Sequence, residues 1–379
     1  MLSTSPFLGT YDNILFNIDL EIVSATGINA GEYFGFGAGR HGKFSSSDAY
    51  TSIIINGQPM DLTRPIFDTL EPEWNEKFYF QNVPRDSKFS LIVMDTDLYN
   101  DDKLGVAQFP VRHVMNDIDV AYDLPLTLKD RKAGVLSIKV TCHHVNTDEN
   151  ALIEEVGPVR YSMHTSFSKD LLRAFSSRNA KLYSFAYTVR LHNIPRFLPS
   201  NIEWTKSYKK AQHVFSSKHP ESPVFRRAVK TQHAMTYEHN RKSSKFGALS
   251  SPLDFFNLIN DGKRDNKPVL FTYVITSKGW YFSETGATFL KDIMSKHMLH
   301  SNAAYYVKYA GEFHVQKTSN NTLKLVLDNN SGTYTPPKFL LPELKALIEN
   351  NFDSIDCEVV DLNDRMLMKA REKILAAWN

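Results

Sequence analysis

Residues 91–105 read LIVMDTDLYNDDKLG, and the fold of the first part of the chain turns on how they are read. Leu91, Ile92, Val93 and Met94 make a short apolar run of the kind found in a buried strand. Asp95, Asp97, Asp101 and Asp102 follow at once, and Gly105 is expected to permit a tight return. Carboxylates packed this closely disfavour one another's ionisation unless a cation or basic groups lie between them. An oxygen-rich loop of this kind suits Ca²⁺. A solvated acidic hairpin loop would use the same residues, because acids are common in exposed turns. A fifth acid, Asp48, also stands immediately before a strand, and that shifts the balance toward a cation site.

Outward from this stretch the pattern is one of short strands. Ile14, Phe16, Ile18, Leu20 and Ile22 alternate with polar or small residues, as a strand with one face in a core requires. Further strands are expected at 48–56, 60–63, 74–80, 89–95, 104–109, 122–128 and 134–143. Eight short strands in about the first 145 residues predict an all-β sandwich. Between the first two, residues 30–47 form a long glycine- and serine-rich loop. In it Phe34, Phe36 and Phe44 interleave with Arg40, His41 and Lys43. These aromatics either fold back onto the domain or enter a headgroup region while the bases meet acidic lipid.

Composition bounds the remaining choices. A chain of 379 residues is too long for one small core, and a formal charge of +2 gives no global field pointing to nucleic acid. Cys142 and Cys357 are far apart, which fits free thiols in a reducing compartment rather than a disulfide scaffold. No basic start followed by a long apolar segment is seen, and no run reaches the length of a membrane span.

Three ordered motifs carry a resemblance: Ser47-Asp48-Ala49-Tyr50, the segment TLEPEWNEKFYF at 69–80, and the aspartate loop ending in Gly105. Residues 11–144 resemble a C2 domain, the calcium-dependent phospholipid-binding β-sandwich, although that family usually has a proline in the place of Ala49. The resemblance implies Ca²⁺ ligation by Asp48 on a first loop and by Asp95, Asp97 and Asp102 on a third. Phe34, Phe36, Arg40, Lys43 and Phe44 are the corresponding candidates for lipid contact. One departure is plain: the family's additional aspartate ahead of Asp48 has no counterpart, since Glu32 is the sole acid between Ile28 and Ser47. Loss of a bridging carboxylate should leave one ion, or a site completed by lipid phosphate.

The rest of the chain reads as strand, helix, strand, helix. Strands are expected at 183–191, 268–276, 305–316, 323–328 and 357–362, and helices at 168–175, 285–298, 341–350 and 364–378. Such alternation predicts an α/β layer with a βαβ crossover. Between residues 206 and 245 basic side chains are dense and acids scarce, which fits a solvated helical face, a membrane-facing surface or, least well, nucleic acid. The segment Asp328-Asn329-Asn330-Ser331-Gly332-Thr333 follows an apolar strand, the place where α/β proteins often hold ligands. It also has the residues of any tight turn. With Asp328 and Ser331, His314 and Glu312 complete the candidate catalytic set, unsupported by any nucleophile or zinc motif. Around GEFHV and LDNNSGTY this part resembles an uncharacterised α/β extension that follows C2 domains in some fungal-type and protist proteins.

The expected fold class is therefore multidomain. An N-terminal eight-stranded antiparallel C2-type β-sandwich, residues 1–146, precedes an α/β or α+β domain with a mixed sheet, residues 147–379, in which the turn-rich stretch 247–267 is either a loop or an internal boundary. The expected function is calcium-regulated peripheral binding to acidic phospholipid membranes on the cytoplasmic side, with the C-terminal domain as scaffold or effector. Two alternatives stay open: a membrane-targeted enzyme with a catalytic α/β domain, and a calcium-independent protein-interaction module.

Overall fold

Strand alternation appears in three dimensions where the sequence places it. The computed structural model describes residues 14–28, 47–96, 101–111, 118–145, 151–165, 185–199, 205–206, 244–284, 307–331 and 334–378. Phe34, Phe36, Arg40, Lys43, Phe44 and Asp97 lie outside them, as do most of the basic stretch and the segments 168–175 and 285–298. The chain forms two compact units: the first holds the described residues up to Thr96 and from Asp102 to Val156, the second Asp101 and the described residues from Gly157 on.

The first unit is a β-sandwich whose strands are β1 (Leu15–Thr26), β2 (Ser47–Ile55), β3 (Gln58–Leu62), β4 (Ile66–Thr69), β5 (Glu73–Pro84), β6 (Lys88–Asp95), β7 (Asp102–Pro110), β8 (Val120–Leu128), β9 (Arg131–Val145) and β10 (Glu154–Val156). Their order is β10-β5-β1-β9-β8-β7-β6-β2-β3, with β4 paired to β2. Every pairing among these strands is antiparallel. The described residues form ten strands where the sequence predicts eight. The two additions, β4 and β10, span only four and three residues, too few to show a period-two pattern. Ile18, Leu20 and Ile22 of β1 are fully buried and meet Phe78, Phe80, Leu136, Ile138 and Val140 in one core. Phe89 stacks on Phe109 with ring centroids 4.8 Å apart.

Gly105 does not form the tight return that the sequence suggests. It lies inside β7, opposite Val93 and beside a register shift. A Cβ there would stand 3.0 Å from Leu126 Cβ, so glycine is needed for close packing rather than for a turn.

Among its described residues the second unit has a mixed sheet of eight strands. They are β11 (Val159–Thr165), β12 (Phe185–Arg190), β13 (Lys245–Leu249), β14 (Phe271–Thr276), β15 (Gly279–Glu284), β16 (Val307–Lys317), β17 (Leu323–Asp328) and β18 (Cys357–Val360). The order is β13-β11-β12-β15-β14-β16-β17-β18. Among the described strands only β17 and β18 run parallel, and the helix between them, α2 (Leu341–Asn351), makes the predicted crossover. Helix α1 (Pro252–Leu258) precedes β14 and is opened by Ser251, whose side chain accepts the Asp254 N–H. Helix α3 (Arg365–Ala376) follows β18 and is opened by Asp364, whose carboxylate accepts the N–H groups of Met366 and Leu367.

One face of this sheet is aromatic. Tyr187, Phe271, Tyr273, Trp280, Phe282, Tyr309 and Phe313 pack with Phe255 of α1 and with Leu344, Leu347 and Ile348 of α2. Phe271 and Phe313 stack at 4.7 Å. The turn-rich stretch 247–267 supplies Leu249, Phe255, Phe256 and Ile259 to the same core. Cys142 and Cys357 are both free and buried. Burial pushes each thiol up to about 12. Among the described residues, no helix is long and apolar enough to cross a membrane.

Candidate functional site

The acidic rim of the sandwich is assembled by strand register. Asp48 is the second residue of β2, Asp95 the last of β6 and Asp102 the first of β7, three neighbouring strands. Ala49 is the Cα partner of Asp95, and Asp95 is the Cα partner of Asp102. The three acids therefore stand on neighbouring strand ends at one end of the sheet although up to 54 positions separate them in the chain.

Hydrogen bonds hold this end together. The Asp48 N–H donates to Asp95 Oδ1 at 2.7 Å, and the Thr96 N–H donates to the Asp48 carbonyl at 3.1 Å. The Asp68 N–H in turn donates to Asp48 Oδ1 at 2.9 Å, tying β4 to the rim. Behind it Trp74, fully enclosed, donates its Nε1–H to the carbonyl of Ala49 at 3.1 Å. The tryptophan of the EPEW motif thus fixes the strand that carries Asp48. A carboxylate has two oxygens and about four acceptor positions, so an amide bond through one oxygen is compatible with cation ligation. Hard oxygen donors gathered from adjoining strand ends fit Ca²⁺ by chemistry. Asp97 belongs to the same expected set but falls outside the described residues.

A second polar cluster lies in the other unit, at the carboxyl end of β17. Asp328 Oδ1 accepts the N–H of Glu312 and of Asn330, each at 2.8 Å. The Asp328 carbonyl accepts the Tyr273 hydroxyl at 2.7 Å. Glu312 is only 2% exposed and carries an ion pair with Arg371 of α3, whose Nε stands 2.7 Å from Oε2. The same Oε2 accepts the side-chain amide of Asn330 at 3.0 Å. Asn329 bridges outward: its Oδ1 accepts the Leu362 N–H at 2.8 Å and its Nδ2 donates to the Pro336 carbonyl at 3.2 Å.

Burial pushes the Asp328 carboxyl up to about 7, the Glu312 carboxylate pushes the same way, and the two N–H donors and Arg371 oppose. Burial holds the His314 imidazole below its usual value, against the pull of Glu358 and Glu312. Of the four catalytic candidates, the structure joins Glu312 and Asp328 through a hydrogen bond. Ser331, three residues after Asp328, is buried, its N–H donating to the Asn329 carbonyl at 3.0 Å. His314 shares a strand with Glu312, two residues on, and is also buried. Sequence reasoning missed Arg371, which lies 59 residues from Glu312 on a helix with no motif to mark it.

The comparisons with known proteins agree with the first of these two architectures. Residues 17–126 match the family described as the C2 domain. A C2 domain of plant Extended Synaptotagmin 1 is similar at 19% identity over 35% of this chain and 98% of that one, with a TM-score of 0.31. A structure described as that of a C2 domain is similar at 20% identity over 34% of this chain and 98% of that one, with a TM-score of 0.26. Human GIVD cytosolic phospholipase A2 aligns at 10% identity over 73% of this chain and 33% of its own length, with a TM-score of 0.29. The N-terminal unit is a C2-like β-sandwich, and an uncharacterised α/β module follows it.

Proposed function

We propose that this protein binds acidic phospholipid membranes peripherally, from the cytoplasmic side, under the control of calcium. The reading is carried by the gathering of Asp48, Asp95 and Asp102 on three adjoining strand ends of a C2-like sandwich. Asp48, Asp95, Asp97 and Asp102 would hold the ion. Bound there, Ca²⁺ supplies positive charge and open coordination positions for phosphate oxygens. Without it, four carboxylates at one rim repel an anionic bilayer; neutralised, they no longer do. Phe34, Phe36 and Phe44 would add apolar anchorage beside Arg40 and Lys43. The sandwich is thus the membrane-binding domain, and the α/β module is the scaffold or effector that it brings to the surface.

The test is cosedimentation with phosphatidylserine vesicles, with calcium or with a chelator. The wild-type chain should pellet only with calcium. Asp95→Asn keeps an oxygen for the Asp48 N–H while removing the charge, and together with Asp102→Asn it should abolish the calcium-dependent fraction. Pelleting of the double variant with undiminished calcium dependence would show that the rim is not the switch.

A further inference from the structure

Helix α3 turns two very different sides to its surroundings. Its sequence from Arg365 to Ala376 reads RMLMKAREKILA. Leu367 and Ile374, seven residues apart, are buried, and Arg371 between them reaches Glu312 on the sheet. Just past the last turn Trp378 donates its Nε1–H to the Pro268 carbonyl at 2.8 Å. The helix is thus clamped along one side and presents the other rigidly. On that outer side Arg365, Lys369 and Lys373 recur every four residues, a row roughly 12 Å long by the helical rise. All three are exposed, and none of their side chains has an ion pair or hydrogen bond among the described residues. Glu372 is the single acid of the helix.

Apolar side chains border this row. Met366 stands on one side of it, and Met368 and Leu375, seven residues apart, line the other; all three are exposed. Near the start of the helix the chain brings in a further pair, Lys338 and Phe339, both exposed. Asn329 ties the two segments together, since its side chain binds the Pro336 carbonyl and the Leu362 N–H, so both leave the same end of β17. Met366 at 73% and Phe339 at 69% are the most exposed large apolar side chains among the described residues. Singly such exposure is ordinary. Here four apolar side chains frame one basic row that the protein itself does not neutralise.

We propose that the outer side of α3, with Lys338 and Phe339, is a second foothold on anionic membranes: the basic row meets lipid phosphates while Met366, Met368, Leu375 and Phe339 enter the headgroup region beside it. Long basic side chains keep their charged ends at phosphate level while their stems lie along apolar surroundings, and a helix lying flat with both kinds of side chain outward suits an anionic interface. A polynucleotide would take the row and leave the apolar side chains in water. A protein groove would need those side chains contiguous, and the bases interrupt them. At the ionic strength of a cell three charges hold the chain too weakly to replace calcium, so the foothold acts once the sandwich has arrived. In that role it rests on the calcium reading; its chemistry and its test do not.

The full chain, with a chelator and at about 10 mM salt, where surface charges act over about 30 Å, is cosedimented with vesicles of phosphatidylglycerol or of phosphatidylcholine. It should bind the first and not the second, and added salt should release it. Each base near an anionic surface contributes about fivefold, so Arg365→Gln, Lys369→Gln and Lys373→Gln together should weaken binding by about a hundredfold. Met366→Ser with Phe339→Ser should weaken it by about tenfold and leave binding to dextran sulfate unchanged. Asp95→Asn with Asp102→Asn should bind in this arm no less than the wild type, which separates the helix from the calcium rim. The substituted positions of α3 and Phe339 are exposed, and thermal melts confirm folding. A wild-type chain that ignores phosphatidylglycerol overturns the proposal, as does a triple variant that binds like the wild type. Unchanged vesicle binding by the Met366 and Phe339 double variant overturns it too, by reducing the face to a site for any polyanion.

Discussion

A Cβ placed on Gly311 would stand 1.9 Å from the carbonyl oxygen of Asp328. The two residues are close because β17 ends beside β16 with that carbonyl turned over Gly311, where the Tyr273 hydroxyl captures it. Glycine here makes room for backbone rather than for a turn. Gly311→Ala must therefore displace the end of β17 and is expected to cost more than about 3 kcal/mol. Tyr273→Phe, which removes the buried hydroxyl and strands the carbonyl, should cost about 1–3 kcal/mol. Urea denaturation of both variants orders the two effects.

The carboxyl of Asp328 makes stability depend on pH. Its folded value is pushed from the ordinary 3.8 up to about 7 by burial, so between those values the folded state holds a proton that the unfolded chain has released. Stability from this group is complete below about pH 4 and declines as pH rises to 7, by at most about 1.4 kcal/mol per pH unit. Glu284 is also raised to about 7 by burial, against the pull of Arg264, and titrates in the same direction. Asp328→Asn keeps an acceptor for both N–H donors and should flatten the profile by about one proton, and Glu284→Gln by about one more. Melting temperatures measured from pH 4 to 8 read this directly, and a D328N profile as steep as the wild type would contradict it.

Arg371 neutralises a carboxylate that has almost no contact with water. Arg371→Ala leaves Glu312, 2% exposed, with Asn330 but without its counter-charge. The arginine is itself 35% exposed, so solvent screens part of the loss, and about 2 kcal/mol is expected rather than the full cost of breaking a buried pair. Combining Arg371→Ala with Glu312→Gln should recover part of the loss. A double-mutant cycle by urea denaturation measures the coupling.

Trp74 joins the interior of the sandwich to its rim. Trp74→Ala removes a side chain 1% exposed and should destabilise the first unit by about 3–5 kcal/mol. Trp74→Phe keeps most of the apolar surface and removes the donor to the Ala49 carbonyl, for about 1–3 kcal/mol. Scanning calorimetry of the full chain detects both. Because β2 carries Asp48, the phenylalanine variant should also weaken calcium-stimulated vesicle binding.

Much of this architecture is legible in one dimension. The alternation of Ile18, Leu20 and Ile22 determined a strand with one buried face, and the same signal located the other main strands of the sandwich. The apolar runs around Phe271, Val307 and Leu325, with helical spacing at 341–351, determined an α/β layer with one crossover. These features depend on neighbours a few residues apart, and a linear pattern records such neighbours. Tertiary structure alone decided the rest. Which residue stands opposite which sets Asp48 beside Asp95, Arg160 beside Arg190 and Thr272 beside Glu312, and register is a property of two strands rather than of either one. The same holds for Arg371 reaching Glu312 and for Gly311 yielding space to a distant carbonyl, because contacts across 59 or 17 positions leave no local periodicity behind.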